Sequence, residues 1–150
     1  MDKNDLKCVI VVDGNLPRGI IANTAAILGI SLGKQFPEVV GKNVSDKSGC
    51  VHSGIIEFPV PVLSGSPEQL KELRQKLCGK DFEDIASVDF SDTAQSCKTY
   101  GEFAEKLSRT EENSIRYFGI GLCGGAKKVN RLTGNLPLLK EKSVSSVFPY

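Results

Sequence analysis

The run Asp89-Phe90-Ser91-Asp92-Thr93-Ala94-Gln95 gathers two carboxylates, hydroxyls and an amide where an apolar segment ends. A carboxylate at such a strand end can orient water or accept a proton. It serves as well as a helix N-cap. For Asp92 the cap is the favoured reading; for Asp89 the two readings are even. Asp13-Gly14-Asn15 closes an earlier apolar run in the same way. Asn23 follows on the next helical segment, placed to face the same crevice.

Gly124-Gly125-Ala126-Lys127-Lys128 reads as a helix opening with free N–H groups and lysines, a pattern that can hold a phosphate or carboxylate. A solvated basic turn is the plainer account. Gly119-Ile120-Gly121-Leu122-Cys123-Gly124 matches G-x-G-x-x-G, yet its first glycines fall inside a strand pattern. Too little chain follows for another β-α-β unit, so close backbone packing explains them better.

Other chemistries are excluded or demoted. His52 is the one histidine, so a metal site built on several histidines is ruled out. No G-x-S-x-G elbow accompanies it. It reads as a surface residue or a hydrogen-bonded loop residue. The five cysteines, Cys8, Cys50, Cys78, Cys97 and Cys123, form no C-x-x-C pair and no clear disulfide framework. Reduced thiols in the cytoplasm fit best, with Cys8 a small buried hydrophobe. No metal and no cofactor is expected.

With 19 basic and 18 acidic residues among 150, the net charge is +1, which speaks against a nucleic-acid clamp. Hydrophobic residues make up 40%, too many for a charge-driven disordered tail. No apolar window approaches the ~20 residues of a membrane span.

The elements that must position these residues follow from periodicity. Cys8–Val12 is a continuous β-branched run, suited to a strand covered on both faces. Pro17 opens a helix whose stripe is Ile21, Ala25, Leu28 and Leu32, with Gly33 as its stop. Asp46-Lys47-Ser48-Gly49 marks a turn in a small hairpin. Pro59 and Pro61 each remove a donor from the same side of Ile55–Leu63, which makes that segment an edge strand. Ser66-Pro67-Glu68-Gln69 is a capping box before the stripe Leu70, Leu73, Leu77. Thr99 and Glu102 repeat the device. Ile85–Phe90 and Ile115–Leu122 are further strands, and Gly124–Leu132 is a last helix. Alternating strands and helices predict helical layers around a mostly parallel sheet. In such sheets ligands bind beyond the carboxyl ends of the strands. One domain over residues 1–140 is expected, followed by an aperiodic tail, 141–150.

Leu6–Val12 with Leu16-Pro17-Arg18-Gly19, Ala22-Asn23-Thr24-Ala25-Ala26, Val88–Gln95 and Val129–Leu138 together resemble the bacterial family called domain of unknown function 2000. The resemblance spans roughly residues 6 to 140. Members of that family resemble peptidyl-tRNA hydrolase II in fold. The resemblance implies a three-layer α/β/α sandwich around a four-stranded mixed sheet with one strand antiparallel. Gly19 and Ala25-Ala26 echo the hydrolase's G-K-x-A-A-Q pattern, but its Lys position falls on Ala22 or Asn23 and its Gln position on Ala26 or Ile27. Asp89 and Thr93 match the Asp and Thr of its D-A-G-x-T-Q segment. Ile120-Gly121 and Thr133-Gly134-Asn135-Leu136 echo its remaining turns.

Two readings of function come out of this. In the first the chain is a metal-independent ester or amide hydrolase. Asp89 positions water, Thr93 holds Asp89 or the substrate, and Asn23 donates to the developing oxyanion. Asp13, Asn15, Asp92, Gln95, Gly124, Gly125 and Lys127 then line the substrate site. In the second, favoured by the missing Lys and Gln, it is a non-catalytic module binding a small ligand or a protein. The ligand is a small molecule or a peptidyl group. Gly124-Gly125 with Lys127 would suit a phosphorylated metabolite. Nucleic acid binds weakly at most, no membrane is involved, and the hydrolase relatives suggest a homodimer.

Overall fold

A computed structural model describes residues 2–141. Its centre is a four-stranded sheet in the order β4-β1-β6-β5, built from β1 (Leu6–Asp13), β4 (Val62–Gly65), β5 (Ala86–Ser91) and β6 (Tyr117–Gly125). β1 pairs with β4 in parallel, whereas β6 runs antiparallel to both β1 and β5. The mixed sheet is therefore present and β6 is its reversed strand. Three strands share one direction, but a reversed strand in the interior leaves a single parallel ladder. "Mostly parallel" holds for strand direction and fails for pairing.

Five helices accompany the sheet: α1 (Arg18–Gln35), α2 (Pro67–Leu77), the short α3 (Asp92–Gln95), α4 (Tyr100–Ser108) and α5 (Ala126–Thr133). Side chains alternate along a strand, so β1 serves two cores. Val9 and Val11 join Ile120 and Leu122 beneath Leu70, Leu73 and Leu77 of α2 and Val129 and Leu132 of α5. Cys8, Ile10 and Val12 point the other way, toward Leu28 and Leu32 of α1. The β-branched run is buried because both of its faces are covered.

The glycines of β6 explain how closely α1 approaches. A Cβ on Gly119 would stand 2.7 Å from Thr24 Cγ2 and 2.9 Å from the Val11 carbonyl oxygen. One on Gly121 would stand 2.8 Å from Leu32 Cδ1. The glycine spacing is a packing groove, as expected. Thr24, a polar residue the helical stripe passed over, is fully buried there and donates to the Ile20 carbonyl at 2.7 Å.

Ser66 Oγ accepts from the Gln69 amide at 3.1 Å, and Gln69 accepts from the Ser66 amide at 2.9 Å. Thr99 Oγ1 accepts from the Glu102 amide at 3.2 Å, but the Glu102 carboxylate takes the Lys98 amide, so the second capping box is only half formed. The hairpin exists as β2 (Val44–Ser45) and β3 (Val51–His52), turned through Gly49 at φ 87°. β4 is an edge strand, shorter than expected and lying past both prolines. Its outer side is met by the chain itself: Ser64 N donates to Pro137 O at 2.8 Å and Leu139 N to Val62 O at 2.9 Å. Gly33 does not stop α1, which continues to Gln35 and gives way to Pro37. The final helix begins at Ala126, because Gly124 and Gly125 still belong to β6. The expected tail lies outside the described residues apart from Glu141.

Two glycine substitutions separate packing from propensity. Gly119→Ala should lower unfolding stability by about 1–3 kcal/mol, since a backbone carbonyl cannot yield to the methyl. Gly29→Ala on α1 meets nothing within 4 Å and should gain about 0.5–1 kcal/mol. Urea midpoints at constant slope check both.

Candidate functional site

At the carboxyl ends of β1 and β5 the reversed β6 contributes its beginning. Arg116, just before β6, thereby comes beside Asp13, the last residue of β1. Asp13 is fully buried, and Arg116 donates from a guanidinium nitrogen to Asp13 Oδ2 at 3.1 Å. Asp13 Oδ1 accepts the Asn15 amide at 3.0 Å, which folds the chain into the turn leading to α1. A buried carboxylate needs such partners, because an unpaired one in a dry interior carries a large desolvation cost. The guanidinium is half exposed and lies over the Phe118 ring, 5.9 Å from its centroid.

Asp92 completes the arrangement through the backbone. Its Oδ1 accepts the Thr93 amide at 2.8 Å and the Arg116 amide at 3.2 Å. The carboxylate thus holds α3 to the entry of β6. The expected N-cap is not formed: Asp92 is the first residue of α3, and the cap position belongs to Ser91, which makes no side-chain cap bond. Thr93 is buried beside it, its hydroxyl 3.4 Å from the same oxygen. Asn23 on α1 donates to Gln95 Oε1 at 3.2 Å. Asp13, Asn15, Asn23, Asp92, Thr93 and Gln95 therefore gather at one end of the sheet. Next to them a groove of about 630 Å³ runs between the 14–17 turn, Ile21 and Leu139. Arg18 stands in its lining, paired with Glu141 at 2.7 Å.

Asp89 does not join them. It pairs across the ladder with Ile120, which belongs to the α2–α5 core, so its carboxylate lies on the opposite face from α1. There it is exposed and accepts from Arg74 Nε at 3.3 Å. The expected hollow shared by Asp89 and Asn23 is absent. The signal was in the sequence: Ala86, Val88 and Phe90 alternate with Ser87, Asp89 and Ser91, which assigns Asp89 to the face away from the apolar α1.

Gly124, Gly125 and Lys127 are also misplaced by the expectation. Lys7 pairs with Gly124 and Leu6 with Gly125, at the start of β1. Leu6 lies seven steps along β1 from Asp13, about 23 Å. Two acids, Asp5 and Asp84, share the hollow with Gly125 and Lys127. Lys128 donates to Asp84 at 2.9 Å and holds that carboxyl below its ordinary range. This is poor company for an anion.

The chain matches, over residues 6–140, the model of a family described as Protein of unknown function (DUF2000). It belongs to that family. Among solved structures it resembles a protein of unknown function from Agrobacterium tumefaciens, with a TM-score of 0.80 at 19% identity, covering 89% of this chain and 97% of that one. This likeness speaks for the fold alone. No curated protein is significantly similar to the chain.

For this DUF2000 chain the remaining candidates resolve simply. His52 sits exposed on the hairpin, its Nε2 2.8 Å from Asp46 Oδ2. That hydrogen bond, with amides of the turn, holds the Asp46 carboxyl below its usual range. Among the described residues no group of three or more His, Cys, Asp and Glu side chains could hold a metal ion. Among the same residues no helix is long and apolar enough to cross a membrane. Sequence reasoning missed Arg116. The only clue was its position directly before a strand, informative once that strand's direction is known.

Arg116→Ala should destabilise the fold by about 1–3 kcal/mol, because it strips a charge-assisted donor from a buried carboxylate. Arg18→Ala, whose partner is in open solvent, should leave the urea midpoint unchanged.

Proposed function

We propose that this chain is a binding module for a small carboxylate-bearing ligand, on a three-layer α/β/α frame of the peptidyl-tRNA hydrolase II kind. The helices α1 on one face and α2 with α5 on the other support the three-layer description. The groove beside Asn15 is the site. Leu16, Ile21 and Leu139 offer apolar contact, and Lys140 adds a second cation to Arg18. The Arg18 fork, which holds the solvent-exposed Glu141 carboxylate at 2.7 Å, is the one a ligand carboxylate would take over.

One observation carries the choice of binding over hydrolysis: Asp89 and Asn23, the proposed base and oxyanion donor, stand on opposite faces of the sheet. The acids that do lie at this end are engaged. Asp13 and Asp92 accept from N–H groups and have structural work to do. General base catalysis needs a carboxylate within hydrogen-bond reach of water or substrate. The five free thiols suit a reducing compartment, and the cytoplasm is the proposed location.

Thermal unfolding against a panel of short aliphatic and aromatic carboxylates tests the reading. A binder should raise Tm in proportion to the logarithm of its excess over Kd. Arg18→Gln should abolish the rise and Asp89→Ala should preserve it. Cleavage of peptidyl-tRNA or model esters that is lost in Asp89→Ala would overturn the proposal in favour of hydrolysis.

A further inference from the structure

Cys8 and Cys123 are far apart in sequence and directly opposite in the β1–β6 ladder. Their type of pairing can be worked out. Ile10 N donates to Pro61 O, on the β4 side of β1. Backbone groups two residues apart point to the same side, so those of Cys8 also turn toward β4 and away from β6. Cys8 and Cys123 are therefore a non-hydrogen-bonded antiparallel pair, with Cα atoms about 4.5 Å apart. That falls within the span of a disulfide. Both side chains face α1 and are almost fully buried.

They are nonetheless reachable, because both line a half-open cavity of about 310 Å³. Its other walls are aliphatic, including Ile10, Leu32, Val39, Ile56 and Val62. Gly29 and Gly33 of α1 leave room there instead of side chains. An apolar cavity of about 150 Å³ already accepts benzene. The carboxylate groove shares no residue with this one, so the two sites stand or fall separately.

We propose that Cys8 and Cys123 form a reversible disulfide by reducing an alkyl hydroperoxide that enters this cavity with its hydrocarbon portion against the aliphatic wall. The Cys8 sulfur attacks the terminal peroxide oxygen and the O–O bond breaks. The alkoxide leaves and takes up the Cys8 proton, giving the alcohol and Cys8 sulfenic acid. The Cys123 sulfur then attacks the Cys8 sulfur; the S–S bond forms, the S–O bond breaks, and hydroxide leaves as water with the Cys123 proton. One hydroperoxide and two thiols become one alcohol, one water and one disulfide.

The thiolate is the nucleophile in such chemistry. Cys8 is the more accessible of the two at the cavity wall, 5% exposed against 1% for Cys123, which sets Cys8 as attacker and Cys123 as resolving thiol. The facing thiols agree with that order: Cys123 beside it lowers the Cys8 pKa, and Cys8 together with burial raises that of Cys123. Hydrogen peroxide lacks a hydrocarbon portion and gains nothing from the aliphatic wall.

The test uses the full chain carrying Cys50→Ser, Cys78→Ser and Cys97→Ser, with the buried pair intact. Cumene hydroperoxide should remove both alkylatable thiols, lower the intact mass by two hydrogens and yield one equivalent of alcohol. Dithiothreitol should restore the thiols, and hydrogen peroxide should react several-fold more slowly. With Cys123→Ser added, dimedone should trap a sulfenic acid at Cys8. Two thiols still alkylated when the treated protein is denatured, sulfinic acid, or disulfide-linked dimers would overturn the proposal. Hydrogen peroxide reacting as fast or faster would overturn the role of the aliphatic wall.

Discussion

Strand β6 lies between β1 and β5 and runs against both, and the position of every chemically interesting group depends on that reversal. Its beginning delivers Arg116 to the buried Asp13, and its far half sets Cys123 opposite Cys8. A parallel β6 would have carried Gly124 and Lys127 to the Asp13 end and the arginine to the other. The glycines at 119 and 121 are part of the same constraint. They remove side chains from one face of β6 so that Thr24, Leu28 and Leu32 can rest against its backbone.

The two ends of the sheet differ in character as a result. At the carboxyl ends of β1 and β5, side-chain carboxylates are matched to backbone amides and a guanidinium, and the polar groups are largely satisfied. Such satisfaction stiffens the turn that borders the groove and leaves little free basicity there. Toward the other end, on the α1 face, polar partners are scarce. A thiol finds chiefly another thiol and hydrocarbon. One region suits recognition by directed hydrogen bonds, the other suits an apolar guest.

Features that depend on neighbouring residues were legible in the sequence. The Ser66 capping box and the Gly49 hairpin turn each follow from a few residues in a row, and Pro59 and Pro61 mark the approach to the edge strand without lying in it. The family resemblance added that one strand is reversed without saying which. That gap explains why Gly124, Gly125 and Lys127 were grouped with Asp13. The face occupied by Asp89 is readable from the alternation in β5, which its place at a strand end does not reveal. Arg116 and the Cys8–Cys123 pairing were not legible, since each depends on register between segments more than a hundred residues apart.

The chain supplies its strands in the order β1, β4, β5, β6, while β6 is the strand that joins β5 to the rest. A growing polypeptide can therefore pair β1 with β4 early, but β5 has no partner until the last strand is made. The bulk of the β1–β6 ladder closes a loop of about a hundred residues, an entropic demand that rises with loop length and that slows folding. Until then Val9 and Val11 have α2 but not Ile120 and Leu122 beside them, and α1 lacks the glycine face of β6. The sheet thus closes in one late step, when β6 enters between β1 and β5.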